Sequence, residues 1–196
     1  LLAGKGKPYD EDIVVPFIIR GPGISPGENL KGYLTGNVDV APTIAELAGV
    51  VPPSFVDGRS LVPLWSANRP SQQDWRQVFL IEYYGSEAES ASNAQSNTQM
   101  IGLNTEDQLL EPADSDALRQ SLPPADYFAI RTIDYLYVEY QDGERELFDM
   151  DQDPLQLNNL ISISDPALLE QFSSMLKTLV LCSAELCRNA EKIRFH

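Results

Sequence analysis

One short run limits the architectures open to this chain. Residues Ile13 to Ile19 (Ile-Val-Val-Pro-Phe-Ile-Ile) are apolar throughout and mostly β-branched. A strand with one wet face alternates apolar and polar residues, whereas a strand covered on both faces reads as a continuous apolar run. The run therefore predicts a strand buried on both sides, inside an α/β sheet. Gly21-Pro22-Gly23 stops it. Upstream, Gly4-Lys5-Gly6-Lys7-Pro8 reads as a loop, and Tyr9 to Asp12 brings three carboxylates up to the strand. Glycines on both sides of Lys5 permit backbone conformations closed to other residues. The segment thus predicts a cation held at the rim of a sheet, where α/β folds place ligands.

A strand–helix rhythm continues downstream. Ser25 to Asn29 is a turn. Asp39 has the side chain of an N-cap, Pro42 is tolerated in the first helical turn, and Val40, Ile44, Leu47 and Ala48 fall on one face. Gly49 supplies the stop. Ser60 to Trp65 predicts a short helical turn with Leu61, Leu64 and Trp65 inward. The polar stretch from Ser66 to Trp75, with Pro70, marks a boundary.

Beyond it the pattern changes to that of an antiparallel sheet. Val78 to Tyr84 is strongly β-prone, as are Phe128 to Thr132 and Leu136 to Tyr140. Asp134 lies in a short turn, Asp142-Gly143 suits a hairpin, and Glu146 to Asp149 predicts a returning strand. Residues 85–125 are rich in Ser, Asn, Gln, Glu and Asp and read as a long surface loop. Asp165-Pro166 opens a helix, with Asp as cap and Pro at its first position. Its stripe of Leu168, Leu169, Phe172, Met175, Leu176, Leu179 and Val180 should pack on one face of that sheet.

Charge and residue inventory remove several functions. The net charge is −15, and residues 81–161 hold 17 acidic against 3 basic side chains. Such a surface repels phosphate backbones, so no nucleic-acid partner is expected, and the acidic face reads as solvated. No apolar run approaches the roughly 18 residues that cross a bilayer; the chain starts at Leu1 without a signal peptide, which says nothing about localisation. His196 is the one imidazole, which rules out a Ser-His-Asp or Cys-His triad among these residues. Cys182 and Cys187 are the two cysteines. They are too few for a zinc site, and a small disulfide loop is favoured over two free thiols, which points to an exported protein. Asp151-Gln152-Asp153 lacks the glycine and closing glutamate of a calcium loop. Glu82, Tyr83 and Tyr84 either border a pocket or belong to a core strand. Taken alone, Lys5 is a solvated loop residue.

The order of short motifs resembles the second half of a type I sulfatase. Gly4-Lys5-Gly6, Tyr9-Asp10-Glu11-Asp12, Val15-Pro16-Phe17 and Arg20-Gly21-Pro22-Gly23 begin the likeness. Asp39-Val40-Ala41-Pro42-Thr43-Ile44, Leu47-Ala48-Gly49-Val50 and Asp57-Gly58-Arg59-Ser60-Leu61 continue it. Ala129-Ile130-Arg131-Thr132, Glu146-Leu147-Phe148-Asp149 and Asp153-Pro154 close it. The wording is nearest the arylsulfatase and N-acetylglucosamine-6-sulfatase branches.

The resemblance implies an α/β, alkaline-phosphatase-like fold, represented by its C-terminal portion. Residues 1–75 would complete the large α/β domain, and residues 76–196 would form a small C-terminal antiparallel sheet plus helix. It implies hydrolysis of a sulfate ester on a sulfated sugar or aryl group, in a secreted, periplasmic or lysosomal setting. Lys5 would contact the sulfate, a role that suits a point cation; Lys7, Glu82 and Tyr83 would lie at the substrate. The family's nucleophile is a formylglycine made from a Cys/Ser-x-Pro-x-Arg segment, and its calcium is bound by upstream aspartates. Neither Cys182 nor Cys187 precedes x-Pro-x-Arg, so this chain alone is expected to lack nucleophile, metal ligands and turnover. A phosphate or phosphonate monoester hydrolase of the same superfamily and a non-catalytic truncated module are the alternatives.

Overall fold

The computed structural model describes residues 6–85 and 126–194. Lys5, most of the 85–125 stretch expected to be a loop, and His196 lie outside the described residues. A four-stranded antiparallel sheet in the order β1-β2-β3-β4 organises the C-terminal part. Its strands are β1 (Val78–Tyr83), β2 (Tyr127–Thr132), β3 (Tyr135–Tyr140) and β4 (Arg145–Asp149). They match the expected runs to within a residue or two. Both tight turns form where expected. The Thr132 hydroxyl accepts from the amides of Asp134 and Tyr135 (3.2 and 2.8 Å), and Gly143 takes a positive φ of 92°, which glycine adopts without a Cβ clash.

Strand alternation divides the sheet into two apolar faces. Val78, Ile130, Tyr137 and Leu147 point to one side and meet Leu169, Phe172, Met175, Leu176 and Leu179. Those residues are the predicted stripe, on a helix from Pro166 to Leu181. The Asp165 carboxylate caps it by accepting from the Ala167 amide at 2.8 Å. Phe172 is fully buried and stacks on Tyr137 with centroids 5.4 Å apart. The second face carries Tyr127, Ala129, Leu136, Val138 and Phe148, joined by Tyr9, Ile81, Tyr83 and Tyr140. It is covered by the N-terminal end of the chain.

The first apolar run departs from its expectation. Asp10–Ile13 is a single helical turn, and residues 14–20 have no strand pairing. Val14, Phe17 and Ile18 are 62%, 52% and 91% exposed. A strand exists only where another strand completes its hydrogen-bond ladder, and none of the described residues does so here. The next helix, Val40–Leu47, forms where predicted. Ile44 and Leu47, on the apolar face read from the sequence, are exposed, while Pro42 and Thr43 are buried. Leu61 and Leu64 point inward as expected, packing with Trp75 beside a one-turn helix, Val62–Trp65. A last short helix, Glu185–Ala190, was not expected.

Asp39 stands at the N-cap position assigned to it, but its side chain makes no capping bond. It is fully buried, and its carboxylate takes the Arg76 guanidinium at 2.7 and 2.8 Å. It further accepts from the amides of Gly36 and Arg59, both at 2.9 Å. Arg76 in turn donates to Glu191 at 2.8 Å, and Arg59 pairs with the same carboxylate. Gly58 makes the approach possible, since a Cβ there would lie 2.0 Å from the Val38 carbonyl oxygen. Burial lowers the Arg76 pKa; Asp39 and Glu191 outweigh it and raise it overall. The disulfide between Cys182 and Cys187 forms as the spacing suggested, at the entry to the last helix. That helix delivers Glu191 to the two arginines.

Candidate functional site

The basic segment opens on a turn whose geometry is set by its own carboxylates. Asp12 accepts from the amides of Gly6 and Lys7, at 3.2 and 2.9 Å. This folds the chain back over Pro8, which is fully buried. Lys5, the predicted sulfate contact, directly precedes the described part of this turn. Lys7 lies in it, half-buried.

Three anchors seat the turn on the second face of the sheet. The Tyr9 hydroxyl donates to the Glu146 carboxylate, 3.1 Å from either oxygen, and Tyr140 donates to the same group at 3.1 Å. The Tyr9 ring meets Phe148 edge-on, with centroids 5.9 Å apart. Asp10 and Arg131 form a two-pronged ion pair at 2.9 and 3.0 Å, and the Asp10 amide donates to Gln156 at 2.9 Å. Burial pushes the Tyr9 phenol up to about 12, with the Glu146 charge adding to it. Burial and the Asp12 charge do the same to Tyr127, also to about 12. Glu146 is raised from the ordinary carboxylate range by burial, against the tyrosine hydrogen bonds that favour its charged form.

Register separates two residues assigned to the substrate. Tyr83 lies opposite Tyr127, which lies opposite Tyr140, so all three share the face that carries the turn. Tyr83 is half-buried and stacks on Tyr127 at 5.4 Å. Glu82 points to the other face, is exposed, and accepts from Tyr84 at 3.3 Å. The structure thus brings Lys7 and Tyr83 to one side and leaves Glu82 on the other. Sequence reading missed Arg131, Tyr140 and Glu146 as holders of the turn. Two of these belong to the motifs of the resemblance, and that membership was the available signal.

Among the described residues no group of His, Cys, Asp or Glu side chains is arranged to hold a metal ion. Asp10 and Asp12 are engaged by Arg131 and by backbone amides. These residues do not fit a calcium ion. A groove of about 940 Å³ beside Phe17, Ile18, Leu61, Leu64 and Trp65 includes no residue of the basic turn. No helix among the described residues is long and apolar enough to cross a membrane.

The architecture defines a class. A Bacteroides thetaiotaomicron protein assigned to the sulfatases aligns over 95% of this chain and 33% of its own, with TM-score 0.61 at 22% identity. A phosphonate monoester hydrolase from Silicibacter pomeroyi aligns over 82% and 27%, with TM-score 0.51 at 26% identity. The fold is the alkaline-phosphatase-like sulfatase fold, represented here by its small antiparallel sheet and helices. The family model "N-sulphoglucosamine sulphohydrolase, C-terminal" matches residues 4–107, and the chain belongs to that family. Goat (Capra hircus) N-acetylglucosamine-6-sulfatase is 32% identical over 94% of the chain, and an arylsulfatase of Chlamydomonas reinhardtii is 30% identical over 97%. The chain spans 32% and 29% of the length of these two relatives.

Proposed function

We propose that this chain is the C-terminal part of a sulfuric ester hydrolase acting on a sulfated sugar, with the Gly4–Lys7 segment at the sulfate. Family membership over residues 4–107, which include that segment, carries the reading. In it the Lys5 ammonium neutralises charge on the sulfuryl oxygens, an electrostatic role that grows as water is excluded. Asp12 fixes the turn by holding the Gly6 and Lys7 amides. Lys7 and Tyr83, on the same sheet face, border the substrate, and Glu82 does not. Residues 1–75 belong with the large α/β domain, and residues 76–196 form the accessory sheet and helix. The family's calcium enters only through ligands outside the described residues. An oxidising compartment fits the Cys182–Cys187 disulfide.

The phosphonate monoester hydrolase of similar fold supports a second reading, a phosphonate ester substrate. The two separate in one assay on the natural polypeptide that carries these residues. Release of sulfate from N-acetylglucosamine 6-sulfate is expected to exceed hydrolysis of a phenylphosphonate monoester. The reverse preference would move the chain to the second reading.

A further inference from the structure

A helix of four residues cannot hold its own shape, because nucleating a single turn is unfavourable. The turn at Asp10–Ile13, with the amides of Gly6 and Lys7 folded onto it, is therefore placed by what it touches. Those anchors come from residues more than a hundred positions away. Arg131 lies in β2 and grips Asp10 with two parallel hydrogen bonds, an arrangement that fixes direction as well as distance. Glu146 lies in β4, accepts from Tyr9, and is steadied by Tyr140 of β3. Both residues sit in motifs of the resemblance to which the proposed reaction gives no work.

We infer that Arg131 and Glu146 are positioning residues for the Gly6–Lys7 turn: through Asp10 and Tyr9 they fix the backbone on which the basic segment meets a sulfate ester. This rests on the sulfate reading of the turn and extends it to the strands beneath. The accessory sheet then serves as a template for the basic turn. Glu146 is faced by Tyr9 and Lys7 from the turn, by Tyr140 from β3 and by Glu144 from its own hairpin.

The test uses the ¹⁵N-labelled 196-residue chain, read by NMR. In Arg131→Gln and Glu146→Gln, exchange of the Gly6 and Lys7 amides is expected to be about tenfold faster, with Val138 in β3 within about twofold. In the wild type the Lys7 amide should show a titration step above the ordinary carboxylate range, absent in Glu146→Gln. A general loss of structure would instead speed exchange at Val138 as well. Unchanged exchange together with a surviving step would overturn the inference. If Glu146→Gln does not fold, Tyr9→Phe, which removes one hydroxyl, is read for the same faster exchange, and unchanged exchange overturns it. Inorganic sulfate provides a separate arm. Shifts of the Gly6 and Lys7 amides that weaken in the variants support both readings; no shift in the wild type overturns the sulfate reading, while exchange still decides the anchoring.

Discussion

Residues 14–20 and strand β3 have similar β-prone apolar content and opposite fates. Leu136, Tyr137 and Val138 in β3 are all fully buried, paired on both edges and covered on both faces. Ile18 is 91% exposed, and its neighbours have no ladder partner among the described residues. Pro16 aside, the apolar content is similar; the neighbours are not. Burial belongs to a pair of surfaces, and β3 finds both of its covering layers within the chain: the helix Pro166–Leu181 on one side and the Tyr9 turn on the other.

The widest gap between the regions should appear on truncation of large side chains. Phe172→Ala is expected to cost about 3–5 kcal/mol in urea unfolding, because it removes a fully buried ring from the helix–sheet layer. Ile18→Ser should stay within about 0.5 kcal/mol. A comparable loss from Ile18→Ser would show that residues 14–20 are covered in solution and erase the contrast.

Asp39→Ala sharpens it at the joint between the regions. It leaves Arg76 buried opposite Glu191 alone, and breaking such a pair costs about 3–5 kcal/mol. Trp75 fluorescence should report an early transition ahead of far-ultraviolet loss of the sheet, since Arg59 lies over the Trp75 ring at 5.5 Å. Coincident transitions would mean that the two regions unfold as one unit. Reduction of the disulfide is the smallest of the three. A loop this short should contribute about 2 kcal/mol, measured as the difference in melting free energy with and without reductant. No difference would mean that the last helix holds Glu191 without help from Cys182 and Cys187.

What could be read in the sequence follows from this. The four strands and the Asp165-capped helix were legible because periods of 2 and 3.6 and their stop signals are local. The fate of Ile13–Ile19 was not, since its partner surface is no property of its own residues. Ile44 and Leu47 share a helical face, as their spacing shows, yet that spacing does not say what the face meets. Asp39 looked like a cap because the local pattern cannot reveal Arg76 37 positions on or Glu191 beyond it. In the candidate site, Lys7 and Tyr83 were picked out from the resemblance, and the structure puts both on one side of the sheet. The opposite orientation of Glu82 required the register of β1, and Arg131 and Glu146 required pairings across 121 and 137 positions.

Lys5 is the residue on which the sulfate reading rests most directly. In the natural polypeptide that carries this chain, steady-state release of sulfate from N-acetylglucosamine 6-sulfate should be compared for the wild type, Lys5→Ala and Lys7→Ala. Loss of a cation that meets the sulfuryl group in the transition state is worth about 2.7–4 kcal/mol by analogy with a lost oxyanion donor, a fall of roughly 10²–10³ in turnover. Lys7→Ala should cost less than about tenfold, with melting temperatures little changed in either variant. Equal, small effects from the two substitutions would return Lys5 to a solvated loop and contradict the account.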